Sequence, residues 1–282
     1  MITTNLRRLV CSMAAVGAMF LCAPAHAVDA SSSWHVDAHS AVRLITAGAR
    51  VGAPLRAGVE IKLDPGWKTY WRYPGDSGVP PRFDFARSTN VKSVNVLWPA
   101  PHRFVDEGGA SIGYKDSVIF PVQVTSSDPS KAVTLRLKLD YAICEKLCVP
   151  AEGTAELLLA NETASQSRPL AAAEARVPTP AKLGDNAAIA VRTVRRGTVG
   201  SRDRVIVDVA APATEAVELF AEGPTPAWAL PLPEAMSGAP VGLRRYGFDL
   251  DGLPPGAKAD GAVLTLTLVA GDRAIEVAAR LE

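Results

Sequence analysis

The stretch Val133–Cys144, VTLRLKLDYAIC, alternates with a period of two along its whole length. Val133, Leu135, Leu137, Leu139, Tyr141 and Ile143 share one parity, and Thr134, Arg136, Lys138 and Asp140 share the other. A helix would scatter those apolar residues around its circumference, whereas a strand gathers them on one face. The segment therefore predicts a half-buried β-strand. Cys144 carries the polar parity, which places it on the solvated face or at its rim unless a bulge resets the phase.

The same pattern recurs along the chain. AGVEIKLDPGW alternates Val59, Ile61 and Leu63 with polar neighbours and breaks at Pro65-Gly66. VKSVNVLWP and VIFPVQV are short β-branched runs, and Pro121 in the second predicts an edge strand or a bulge. Many short strands separated by turn signals point to a β-sandwich. From Asn161 to Asp185 the character changes to Ala, Pro and Ser, with one short helix expected around Leu170–Arg176. Strands resume in AIAVRTV, RVIVDVA, AVELFAEG, YGFDLDGL and AVLTLTLVAG, enough for a second sandwich. The expected division is a first sandwich over 28–162, a linker over 163–185 and a second sandwich over 186–282. The second contains no Cys and no His.

Residues 1–27 read as a signal peptide. Arg7-Arg8 precede the apolar run 9–22, and APAHA supplies a small-x-small site for cleavage after Ala27. Bulky Leu21 before Cys22 argues against a lipidated cysteine. Loss of Arg7 and Arg8 takes the 30 basic residues of the chain to 28, against 29 acidic ones. That near-neutral balance argues against nucleic acid as a partner. Only Cys144 and Cys148 remain of the four cysteines, in an exported compartment that permits a disulfide.

Three readings of this pair stand open. A structural staple would contribute only about 2 kcal/mol, because the ring is short, and a sandwich of this size builds its own core. A Cu(I) site would use the two soft thiolates, but His35, His39 and His102 all lie upstream of the pair. Two thiolates alone also make an incomplete zinc site. Thiol–disulfide exchange needs an accessible pair that closes on itself, and the Glu145-Lys146-Leu147 connection brings the two cysteines into range. Lys146 favours a thiolate and Glu145 opposes one. The aromatics Trp67, Tyr70, Trp71 and Tyr73 read as sandwich packing or as a contact surface, and Asp76 and Ser77 as turn chemistry.

Four ordered segments carry a family resemblance: GWKTYWRYPGDSGVPP (66–81), VLWPAPHRF (96–104), IGYKDSVIFPVQV (112–124) and LDYAICEKLCVPAEG (139–153). Together they resemble the amino-terminal periplasmic domain of the thiol:disulfide interchange protein DsbD family. The C-x3-C spacing is closer to the branch of ScsB, a relative linked to copper tolerance, than to DsbD itself, whose spacing is longer. The resemblance implies an all-β chain of two immunoglobulin-like β-sandwich domains and a periplasmic location. It implies that Cys144 and Cys148 are the redox pair; Tyr141, Glu145 and Lys146 are expected beside them by their nearness in sequence. A cap loop shields the pair in the family, and here Arg103–Gly113 occupies that place, with Phe104 as its aromatic and Asp106 and Glu107 as acidic neighbours. The implied partners are a membrane-embedded thiol reductase or its thioredoxin-like domain, and oxidised periplasmic client proteins. No cofactor and no metal is expected. The relatives continue into a transmembrane region, whereas this sequence ends at Glu282, so the membrane partner is expected to be a separate chain.

Overall fold

The computed structural model describes residues 30–47, 54–75, 78–106, 109–159, 166–199 and 202–282. The expected signal peptide 1–27, the turn residues Asp76 and Ser77, the cap residue Glu107 and the side chain of Asp106 lie outside them. The regular structure of the described residues is nearly all strand, in four sheets that make two immunoglobulin-like sandwiches.

The first sandwich is built from β1 (His35–Asp37), β2 (Ser40–Thr46), β3 (Leu55–Leu63), β4 (Lys68–Gly75), β5 (Arg82–Asp84) and β6 (Val91–Val96). It continues through β7 (His102–Asp106), β8 (Gly109–Lys115), β9 (Ser117–Ser126), β10 (Val133–Cys144) and β11 (Cys148–Leu159). One sheet runs β1-β2-β3-β9-β6, and the other β11-β10-β4-β8-β7 with β5 also on β10. The apolar parity of β10 faces inward as expected: Val133, Leu135, Leu137, Leu139, Tyr141 and Ile143 are all buried in the shared core. At its centre Phe120 meets Phe83, Trp98 and Tyr114 edge-on, with ring centroids 5.2, 5.1 and 5.3 Å away. Such tilted contacts bring the positive ring edge to the negative ring face.

Pro121 departs from its expectation. It lies in β9, an interior strand between β3 and β6, and the one irregularity of the β6–β9 ladder falls elsewhere, between Val91 and Ser93. The position tolerates proline because β6 stops one residue short of it, at the Val96–Val122 pair. The Pro121 carbonyl points past that end and accepts from the Leu97 N–H at 2.8 Å. Proline has no N–H to donate back, so that single bond closes the rung.

The stretch read as a linker carries α1 (Ser167–Ala175) and β12 (Thr179–Ala181). Leu170 of α1 is fully buried, the Arg56 guanidinium pairs with Glu174, and the Ala100 N–H donates to the Arg176 carbonyl. β12 runs parallel to the last strand of the chain. The second sandwich comprises β13 (Ala190–Val199), β14 (Arg202–Ala210), β15 (Val217–Glu222), β16 (Glu234–Met236), β17 (Arg244–Asp249), β18 (Val263–Ala270) and β19 (Arg273–Arg280). Its sheets are β12-β19-β18-β15 and β13-β14-β17-β16, over a core of their own.

The two sandwiches meet on three consecutive residues of β4. Trp71 is fully buried against Phe220 of β15, ring centroids 5.7 Å apart. Arg72 donates to Glu222 of β15 at 2.6 Å and also to Glu276 of β19. The Tyr73 hydroxyl donates to the Leu230 carbonyl at 2.6 Å. Burial opposes the charge of Arg72, but hydrogen bonds and attraction from Glu222 and then Glu276 outweigh it and hold its pKa above the ordinary value. On β7, with β8 between it and β4, the Arg103 N–H donates to Glu218 and its guanidinium to the Pro233 carbonyl.

Arg72→Met would leave two interface carboxylates without their shared counter-charge, at a cost of about 2 kcal/mol. A melting temperature lower by about 5 °C is expected, and an unchanged melt would show that the pair of acids is not held by Arg72. A second expectation concerns acid. Hydrogen bonds from Arg245, opposed by burial and joined by Arg195 and Thr193, hold Asp208 down to about 2. A depressed carboxylate pKa contributes stability that is present above the unfolded value, near 4, and lost as pH falls toward 2. An acid titration of unfolding should therefore flatten over that window in Asp208→Asn. An identical acid limb would sink the assignment.

Candidate functional site

Strands β10 and β11 pair in unbroken register from Val133–Leu159 to Cys144–Cys148, so the two cysteines form the last rung before the turn. The turn is Glu145-Lys146-Leu147, all three exposed, with Leu147 79% accessible. Cys144 and Cys148 are joined by a disulfide, their Cα atoms 4.1 Å apart. The three-residue connection thus does what its length predicted.

Cys144 does not have the exposure expected of its parity. It does lie on the face opposite the main core, in a separate small cluster with Ala142 and Tyr70. Yet it is only 6% accessible. The cause is strand β4, which pairs with the end of β10 through Ile143–Thr69 and Cys144–Lys68. Alternation along β4 turns Thr69 and Trp71 to the core side and Lys68 and Tyr70 to the cysteine side. The Thr69 hydroxyl secures the pairing by donating to the Ala142 carbonyl at 2.9 Å. Cys148, on the outer arm of the hairpin, is exposed. The disulfide therefore joins one covered cysteine to one exposed cysteine.

Tyr70 is the aromatic of this site. It is 1% accessible, and its hydroxyl lies 2.9 Å from Cys148 Sγ. Gly78, with φ +143°, lies against the ring so closely that a Cβ there would collide with it. Only glycine combines that backbone conformation with the absence of a side chain.

The other residues singled out from the sequence fall as follows. Phe104 is half-buried on β7, and its ring centroid is 5.9 Å from Nζ of Lys68, the cross-strand neighbour of Cys144. Glu145 leans over the Pro65-Gly66 turn, where a Cβ on Gly66 would come within 3.4 Å of its Oε1. Lys146 projects from the hairpin tip. Tyr141 faces the other way: it is 4% accessible in the main core, and its hydroxyl is 2.6 Å from Ser40 Oγ. Its parity, shared with Leu139 and Ile143, separates it from the cysteine face. Burial, reinforced by nearby Asp37 and opposed by the Ser40 bond, raises its pKa.

The histidines are engaged elsewhere. His39 stacks on Trp67 at 4.1 Å and pairs with Asp64, and His35 meets Thr154. His102 lies between Arg176 and Glu218. Among the described residues, no three His, Cys, Asp or Glu side chains converge as a metal-ligand set. None of the described helices is long and apolar enough to cross a membrane.

Residues 39–160 match the family described as the N-terminal region of the thiol:disulfide interchange protein DsbD. The bonded pair and Tyr70 both fall inside that segment. Among solved structures, the N-terminal periplasmic domain of ScsB from Proteus mirabilis superposes with a TM-score of 0.70 at 21% identity. The alignment covers 89% of this chain and 98% of that one, so the likeness of fold extends through both sandwiches. No curated protein matches the sequence.

Because the disulfide lies off the main core and closes a small ring, Cys144→Ser/Cys148→Ser should cost at most about 2 kcal/mol. Chemical denaturation should remain cooperative; its loss would make the disulfide a structural staple.

Proposed function

We propose that this chain is a periplasmic thiol–disulfide oxidoreductase that relays electrons through Cys144 and Cys148. It takes them from a membrane-embedded thiol reductase or its thioredoxin-like domain and delivers them to oxidised periplasmic proteins. The observation that carries the reading is the one-sided disulfide, Cys148 exposed and Cys144 covered, within the segment that matches the interchange family.

The geometry supports a defined order of bond changes. A partner thiolate attacks the sulfur of Cys148, the exposed cysteine; the Cys144–Cys148 bond breaks, and Cys144 leaves as a thiolate. The partner's second thiolate then attacks its own sulfur in the mixed disulfide and expels Cys148. Two electrons have moved, the partner is oxidised to a disulfide, and this chain holds two reduced cysteines. Toward a client the sequence reverses: Cys148 attacks the client disulfide, and Cys144 resolves the adduct. Pro150 supports access to Cys148, since β11 is the outer strand of its sheet and proline removes one edge N–H beside the site.

These roles predict an asymmetric trap. Mixed with a thioredoxin-like partner that keeps a single cysteine, activated as an aryl disulfide so that no second thiolate can expel Cys148, Cys144→Ser should form a covalent adduct that a reductant releases, and Cys148→Ser should not. The opposite pattern would exchange the two roles. Absence of any adduct, together with a wild-type disulfide that accepts no electrons from such partners, would end the relay reading. A potential more positive than about −300 mV is expected for the pair, as for exchangeable rather than structural disulfides.

A further inference from the structure

We infer that Tyr70 is a catalytic residue of this site: its hydroxyl holds Cys148 as a thiolate by hydrogen bonding to the sulfur. The inference rests on the exchange reading for its purpose, but its physical content concerns one atom pair.

The Tyr70 oxygen is 2.9 Å from Cys148 Sγ. In the disulfide this sulfur carries no proton, so the phenol O–H is the donor and sulfur the acceptor. A disulfide sulfur accepts weakly and a thiolate accepts strongly, so the same contact tightens once the S–S bond is cut. Three features fix the hydroxyl in place. Tyr70 is essentially without solvent contact, so water competes little for its proton. Gly78 lies against its ring. The next three residues of the strand, Trp71, Arg72 and Tyr73, are gripped by the second sandwich. The donor is preorganised rather than recruited.

The contact serves both halves of the exchange. When the partner's second thiolate attacks its own sulfur, the departing group is Cys148 Sγ with the bond's electron pair, and the Tyr70 O–H stabilises that developing charge. When the reduced chain attacks a client disulfide, the same bond raises the fraction of Cys148 present as the nucleophilic thiolate at neutral pH. Tyr70 gives up no proton in either step; the thiolate exchanges its proton with solvent.

The test uses the full mature chain carrying Cys144→Ser, so that one thiol is left, and follows alkylation by iodoacetamide against pH. Adding Tyr70→Phe, which removes only the hydroxyl, should raise the midpoint of the Cys148 profile by about one unit. A midpoint unchanged in a variant with an unaltered circular dichroism spectrum would overturn the proposal. Should Tyr70→Phe fail to fold, 3-fluorotyrosine at position 70 decides. Its more acidic phenol is a stronger donor and should lower the midpoint, and an unmoved midpoint would again overturn the proposal. Electron acceptance by the wild-type chain from a thioredoxin-like reductant is measured separately. If it fails while the midpoint shifts, the relay reading falls and the Tyr70–Cys148 bond stands.

Discussion

The pairing of β4 with the end of β10 is the constraint on which the site depends. Cys144–Lys68 and Ile143–Thr69 are its only rungs. They set which residues of β4 look toward the disulfide and which toward the core. A slip of one residue would exchange the two sets, placing Trp71 over the cysteines and Tyr70 in the core. The Thr69 bond to the Ala142 carbonyl and the Trp71 contact with Phe220 both oppose that slip. Short register, buried hydroxyl and interdomain aromatic act together on one strand.

The second sandwich, which offers no Cys or His, thereby bears on the chemistry of the first. Glu222 and Glu276 come from two different strands of it and converge on one guanidinium. Phe220, Val269 and Ala274 extend the core of the first sandwich across the boundary. A strand held this way at one end has little freedom to move its other end away from the disulfide. The solved ScsB domain is matched over nearly its whole length, so this pairing of sandwiches is a property of the shared architecture.

Much of this was legible in the sequence, and the remainder had physical reasons to be hidden. The alternation of 133–144 fixed the face of Cys144 correctly, because parity is a local property of a strand. Its burial was not legible, because the cover comes from Tyr70, whose hydroxyl reaches across 78 residues of sequence. Tyr70 was visible as one of four neighbouring aromatics, but nothing local distinguished it from Trp67 or Tyr73. Tyr141 was read as a site neighbour by proximity in sequence, although its own parity already assigned it to the core. Pro121 was read as an edge residue because proline lacks an N–H. The sequence could not show that the neighbouring strand ends at Val96, beside it. Arg72 carried no signal at all, since its acids lie 150 and 204 residues downstream.

One exposed cysteine and one covered cysteine have a kinetic consequence. On the relay reading, Cys148 is both inlet and outlet, so a donor and an acceptor cannot be engaged at once. Turnover then follows a ping-pong scheme, in which each visitor must leave before the next arrives. The two traffic streams compete for a single berth, and each half-reaction waits on the departure of the other's product. An excess of either reduced donor or reduced client product would slow the flow by occupying that berth, without any regulatory site elsewhere in the molecule.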